Sequence, residues 1–170
     1  PVLRIPAVIA VLGLSALTLA ACASAPGSAA CDRVDSDSSI FDVVHSSGEF
    51  GTPETTLDAP VNVDATTVRD ETAGDGLRVT SDDQDVFFSV SIVDGATGKA
   101  VAAGSGQIQS LSAWRENYAG LADAMMCATE GSRIVAAIPA SGLSAQAAES
   151  WGVAAEQSIV VTLDLTKVYL

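Results

Sequence analysis

Gly131-Ser132-Arg133-Ile134-Val135-Ala136-Ala137-Ile138-Pro139 opens on a turn and runs into an apolar segment that stops at proline. Glycine punctuates its start, and proline cannot continue a ladder of N–H donors, so Ile134 to Ile138 reads as one buried, central strand. Further on, Ser158-Ile159-Val160-Val161-Thr162-Leu163-Asp164-Leu165 sets Ile159, Val161, Leu163 and Leu165 against polar or smaller partners. That period of two predicts a closing strand running on to Val168. Between the two strands, Ser144 to Trp151 reads as a short helix with Ser144 as N-cap, because a serine oxygen accepts from the free N–H groups of a first turn.

The same logic extends upstream. Val86, Phe88, Val90 and Ile92 alternate with Phe87, Ser89, Ser91 and Val93 in the clearest strand of the chain. Asp94-Gly95-Ala96-Thr97-Gly98 turns it, and Lys99 to Ala102 returns antiparallel. Trp114, Tyr118, Leu121, Ala122 and Met125 recur at helical spacing, while Gly120 weakens the helix around it, so the main helix is expected at about Tyr118 to Met126. Phe41-Asp42-Val43-Val44-His45 alternates weakly as an edge strand. After a turn at Ser46-Ser47-Gly48, a stretch punctuated by Pro53 and Pro60 leads to Thr66-Thr67-Val68-Arg69-Asp70. Internal repeats, a P-loop and metal-ligand spacing are absent from the sequence. Many strands with one packed helix make an antiparallel α+β domain.

The chain has 170 residues and a net charge of −13. Fourteen of its 21 acidic residues lie between Cys31 and Asp85. Nucleic-acid binding is excluded, because neutralising phosphates takes clustered Lys and Arg. His45 is the only histidine, and no Ser or Cys beside it has the setting of an activated nucleophile. Asp82-Asp83-Gln84-Asp85 lacks the glycine and closing glutamate of a calcium loop and reads as a solvated turn. No metal or cofactor is expected. At the front, Arg4 precedes an apolar run from Ile5 to Ala21, which is short for a membrane span and suits a signal peptide. Leu19-Ala20-Ala21-Cys22 looks like a bacterial lipobox, with Cys22 as the lipidated residue. The alternative is ordinary cleavage before Ala25 or Ala30. The expected organisation is a signal peptide over 1–21, a tether over 22–39 and a folded domain over 40–170. With Cys22 assigned to lipid, Cys31 and Cys127 remain as an even pair for a disulfide in an oxidising compartment, or else as two thiols.

From Val61 to Tyr169 the order of these signposts, strand, Asp-Gly hairpin, loop, helix, Gly-x-Arg strand, flap and terminal strand, resembles the FKBP-type peptidyl-prolyl cis-trans isomerases. The resemblance implies a curved antiparallel sheet wrapped on one main helix, and an activity that helps extracytoplasmic proteins fold. It also implies proline-containing peptides or unfolded extracytoplasmic proteins as partners, and no cofactor. Anchorage would be to the outer face of the cell membrane through lipid on Cys22. By family position the binding groove falls on Val90, Val101, Leu121, Ser144, Trp151, Val153 and Val161. Here the chain departs from the family. Val90 stands for the first pocket Tyr, Val101-Ala102 for the Phe-Asp pair, Leu121 for the floor Trp, Ser144 for the flap Tyr and Val161 for the last-strand Phe. Each replacement is smaller, so weak turnover is expected. A non-catalytic domain that holds peptides or positions a neighbour is the alternative. Trp114 and Tyr118 read as core, and Trp151 as either core or groove contact.

Overall fold

The computed structural model describes Cys31 and residues 39–170. The expectations for the leader, for Cys22 and for most of the tether lie outside the described residues. Two short strands come first, β1 (Val44–Ser47) and β2 (Glu54–Leu57), paired as an antiparallel hairpin. Next come β3 (Thr67–Thr72), β4 (Asp85–Asp94) and β5 (Ala100–Ser110), then the helices α1 (Leu111–Arg115) and α2 (Ala119–Met125). The chain closes with β6 (Arg133–Pro139), α3 (Ala145–Trp151) and β7 (Ser158–Val168). Five strands form one sheet in the order β3-β6-β7-β4-β5, every neighbour antiparallel. Among the described residues no helix is long and apolar enough to cross a membrane.

Both faces of the sheet are covered. On one side the residues read as inward-facing, Val86, Phe88, Val90 and Ile92 of β4 with Ile159, Val161, Leu163 and Leu165 of β7, pack against Leu121, Ala122 and Met125 of α2. On the other, Val93, Val135, Ala137 and Val160 form a second core with Phe41, Val44 and Val61 from the N-terminal segment. Gly120 explains how α2 reaches the sheet. A Cβ there would come within 2.3 Å of Ile138 Cγ2, so glycine is required by close approach although it weakens the helix.

Three local expectations need correction. The segment Ser39–Val43 is a 3-10 turn, and the strand begins only at Val44. The reason is burial: Phe41 and Val44 are both buried in the second core, three residues apart, which is a helical and not an alternating interval. The return strand after the hairpin runs to Ser110, well beyond Ala102. The main helix is preceded by a separate turn, α1, which carries Trp114.

Arg133, at the start of β6, has a structural task. Arg133 and Asp164 are register partners across β6 and β7. Arg133 Nε donates to Asp164 Oδ1 at 2.7 Å and its Nη2 to Oδ2 at 2.8 Å, a bidentate pair. Asp164 is completely buried and Arg133 is 13% exposed. The carboxylate keeps the guanidinium firmly protonated. The remaining donors go to the carbonyls of Gly48 (3.0 Å) and Glu49 (3.0 Å), and Gly51 N–H returns a bond to Asp164 Oδ2 at 2.7 Å. The turn between β1 and β2 is therefore pinned to the sheet by one ion pair.

Cys31 and Cys127 are joined as a disulfide, with Cα atoms 5.4 Å apart. Cys127 stands just past α2 at φ 66, a left-handed conformation, and its N–H donates to Val79 O at 2.9 Å. Arg78 Nη1 donates to Cys31 O at 2.8 Å, so the bridge, the 78–79 segment and the end of α2 form one knot.

Candidate functional site

The site to be judged lies where α1, α2 and α3 meet the inward face of β4, β5 and β7. Of the residues expected there, Val90, Leu121, Val153 and Val161 are buried in the main core, and Val101 and Trp151 are partly buried against it. Ser144 is elsewhere engaged. Its Oγ accepts from Ala147 N at 3.1 Å as the N-cap of α3, and donates to Asn117 Oδ1 at 3.1 Å. That hydroxyl fastens α3 to the link between α1 and α2.

Aromatic side chains meet here from four separate stretches of chain. Phe88 of β4 presents edge to face to Trp114 of α1, with ring centroids 4.8 Å apart at 85°. Trp114 leans on Tyr118, the residue capping α2, at 4.9 Å, and Tyr118 stacks on Trp151 of α3 at 4.8 Å and 21°. These separations and tilts are those of favourable aromatic pairs. The four rings thus contact one another in a row from Phe88 to Trp151. The helical interval from Trp114 to Tyr118 was visible in the sequence. Their contact with Phe88 and Trp151 had no local signal.

Beside this row is an open cavity of about 410 Å³, lined by Val101 and Trp151 together with Lys99, Gln157 and the Asp94 turn. Two of the expected groove residues therefore share one cavity, and the others do not line it. Asp94 is held by its own turn, Oδ1 accepting from Thr97 N at 2.7 Å and Thr97 Oγ1 at 2.6 Å. Lys99 supplies the positive charge at the rim.

His45 lies on the hairpin, with Nε2 2.7 Å from Asp58 Oδ2, both exposed. Asp82, from the acidic run, takes a bidentate contact from Arg115 (2.9 and 2.8 Å), which keeps that guanidinium protonated. Among the described residues no cluster of His, Cys, Asp or Glu is placed to hold a metal ion.

Solved structures carry a similar fold over about two thirds of the chain. One is a peptidyl-prolyl cis-trans isomerase from Pseudomonas syringae pv. tomato, 17% identical, with TM-score 0.53 over 64% of this chain and 79% of that one. A second is the N-terminal domain of FKBP42 from Arabidopsis thaliana, 12% identical, with TM-score 0.55 over 66% and 93% of the two chains. The fold is FKBP-like. A third, wheat FKBP73 with three FKBP domains, is 20% identical with TM-score 0.52, over 61% of this chain and 44% of that one. No protein-family model and no curated protein matches the sequence.

Proposed function

We propose that this domain is an FKBP-type peptidyl-prolyl isomerase-like module that engages proline-containing segments of extracytoplasmic proteins and turns them over weakly. The observation that carries the reading is the closed aromatic row Phe88, Trp114, Tyr118, Trp151 beside a small cavity. Rotation about an X-Pro bond faces a barrier of about 18–20 kcal/mol. A groove lowers it by excluding water from the imide and favouring the twisted form, which takes apolar walls around the proline ring and a donor for the carbonyl. Here the rings face one another, Trp151 and Val101 offer one remaining apolar flank, and the Ser144 hydroxyl is held in a cap. Binding is retained and catalysis is poor.

The test is a protease-coupled X-Pro isomerisation assay on residues 31–170, run beside a titration with a proline-containing peptide. Binding with turnover well below that of ordinary FKBP domains is expected, and turnover at their level would defeat the weak-activity reading. Trp151→Ala removes both the cavity wall and the stack on Tyr118. Loss of the stack should lower stability by about 0.5–1.5 kcal/mol beyond the lost burial, and loss of the wall should weaken peptide binding about threefold or more. Unchanged affinity would place the peptide elsewhere. A second reading, a holding module without turnover, is favoured by the same self-satisfied rings and would be marked by binding alone.

The proposed place of action is the outer face of the cell membrane, with lipid on Cys22. It is supported by the apolar run ending at Leu19-Ala20-Ala21-Cys22. Cys22→Ala should move the protein from the membrane fraction to the soluble fraction. Full retention in the membrane would show that the apolar run itself is the anchor.

A further inference from the structure

The two edges of the sheet are built differently. β3 at one edge carries Arg69, Asp70 and Glu71 in its six residues, and charges of this kind discourage a further strand from pairing. β5 at the other edge has none. From Ala100 to Ser110 it contains no charged residue and no proline, and its Ile108 is 58% exposed. Its inner side pairs with β4, and among the described residues no strand pairs with its outer side. In β5 one extra residue bulges near Gly106, which sits at φ +66 against the Phe87 ring. A second extra residue, Val101, breaks the register near the start of the strand, so the regular runs are Ala102 to Gly104 and Gln107 to Ser110.

We propose that the free edge of β5 takes an extended, uncharged or basic stretch of a client polypeptide as an added strand. The inference rests on the reading of the domain as one that engages unfolded chains, and it assigns those chains a second contact that needs no proline. Two observations choose the occupant. A net charge of −13 sets one copy of this chain against another, whereas a neutral or basic segment meets an uncharged edge inside an attractive field. The edge also continues into the cavity, because Lys99, Ala100 and Val101 at its start line the cavity together with Trp151. A strand laid on Ala102 to Gly104 leads its own chain past the bulge at Val101 toward the Trp151 flank. Main-chain hydrogen bonds then supply affinity irrespective of sequence, as in other strand additions.

The test titrates the protein with a labelled, proline-free peptide of about ten residues, alternating Val and Thr between terminal lysines, a length that matches one strand. A proline-containing peptide is run in parallel. The edge variant is Ala103→Lys with Ile108→Lys, both at exposed positions. Thr72→Lys, on the guarded edge, adds charge without touching β5. The edge variant should bind the proline-free peptide at least about tenfold more weakly, with an unchanged melting curve, while Thr72→Lys binds normally. In the wild type, peptide should slow hydrogen exchange at amides of residues 100–110. Equal binding by the edge variant, or no binding by the wild type, overturns the proposal. Binding of the proline-containing peptide that is lost only in Trp151→Ala would then leave the groove reading standing. A wild-type dimer that the edge variant dissolves would overturn the proposal too, by assigning the edge to a second copy.

Discussion

Asp164→Ala is expected to destabilise the domain by about 3–5 kcal/mol, the cost of leaving one half of a buried ion pair without its partner. The carboxylate is completely buried and takes two bonds from Arg133 and one from Gly51 N–H. Removing it strands a guanidinium that is only 13% exposed, and leaves a backbone donor in the turn without its acceptor. Urea unfolding followed by circular dichroism would read the loss as a lower midpoint. A loss under about 1 kcal/mol would mean that the pair is worth no more than a surface contact. A second variant separates charge burial from hairpin docking. In Arg133→Met with Asp164→Leu no buried charge is left unpaired, and such replacements are often near neutral. Here recovery should be partial, because the carbonyls of Gly48 and Glu49 also lose their donor. Exchange at Gly51 and along β1 and β2 should stay fast in the double variant even where the five-stranded sheet is restored.

Removing the disulfide is the other large effect. Cys31 and Cys127 are 96 residues apart in sequence, and closing a loop of about 100 residues is worth about 4.7 kcal/mol in the chain-entropy account. Measured bridges more often give about 2–4 kcal/mol, so Cys31→Ser with Cys127→Ser should lower stability by about 2–5 kcal/mol. The contacts around it decide where the loss is felt. Freed of the bridge, residue 31 keeps its carbonyl contact with Arg78 and its side chain's place beside Val79 O, and residue 127 keeps its N–H bond to Val79. Hydrogen exchange should therefore quicken first at the end of α2 and in the 78–79 segment. Parallel melts with and without reductant check the size of the effect. Rapid labelling of both thiols in native, unreduced protein would sink the prediction.

The elements read correctly from sequence share a physical property. In β4, β6 and β7 the backbone pleat itself enforces a period of two, so Val86, Phe88, Val90 and Ile92 announce one face without knowledge of what covers it. The N-cap at Ser144 is equally local, since its acceptor and the N–H it serves are three residues apart. The FKBP-like order of elements follows from such local signals placed in sequence. Where several elements had to be known together, the reading stopped short. Phe41 looked like part of an alternating strand, and only the second core, built from distant Val135 and Val160, makes its three-residue spacing with Val44 intelligible. The middle of β5, Gly104-Ser105-Gly106-Gln107, has no period at all, and it is a strand because β4 supplies the hydrogen bonds.

The candidate site belongs almost wholly to this second category. Its aromatic residues were plain in the sequence, and the helical interval between Trp114 and Tyr118 placed two of them on one surface. That Phe88 and Trp151 complete the row is a consequence of where α3 and β4 come to rest. Arg133 and Asp164 are likewise only a turn residue and a strand residue until the register of β6 and β7 sets them opposite each other. Residue type and spacing by themselves determined β4, β6 and β7, the cap at Ser144 and the acidic balance of the chain. The tertiary structure alone decided which rings meet, which hydroxyl is held in a cap and which sheet edge is left open. The physical reason is range: periodicity and capping act over a few neighbouring residues, whereas these contacts join residues whose separation along the chain is closed only by packing.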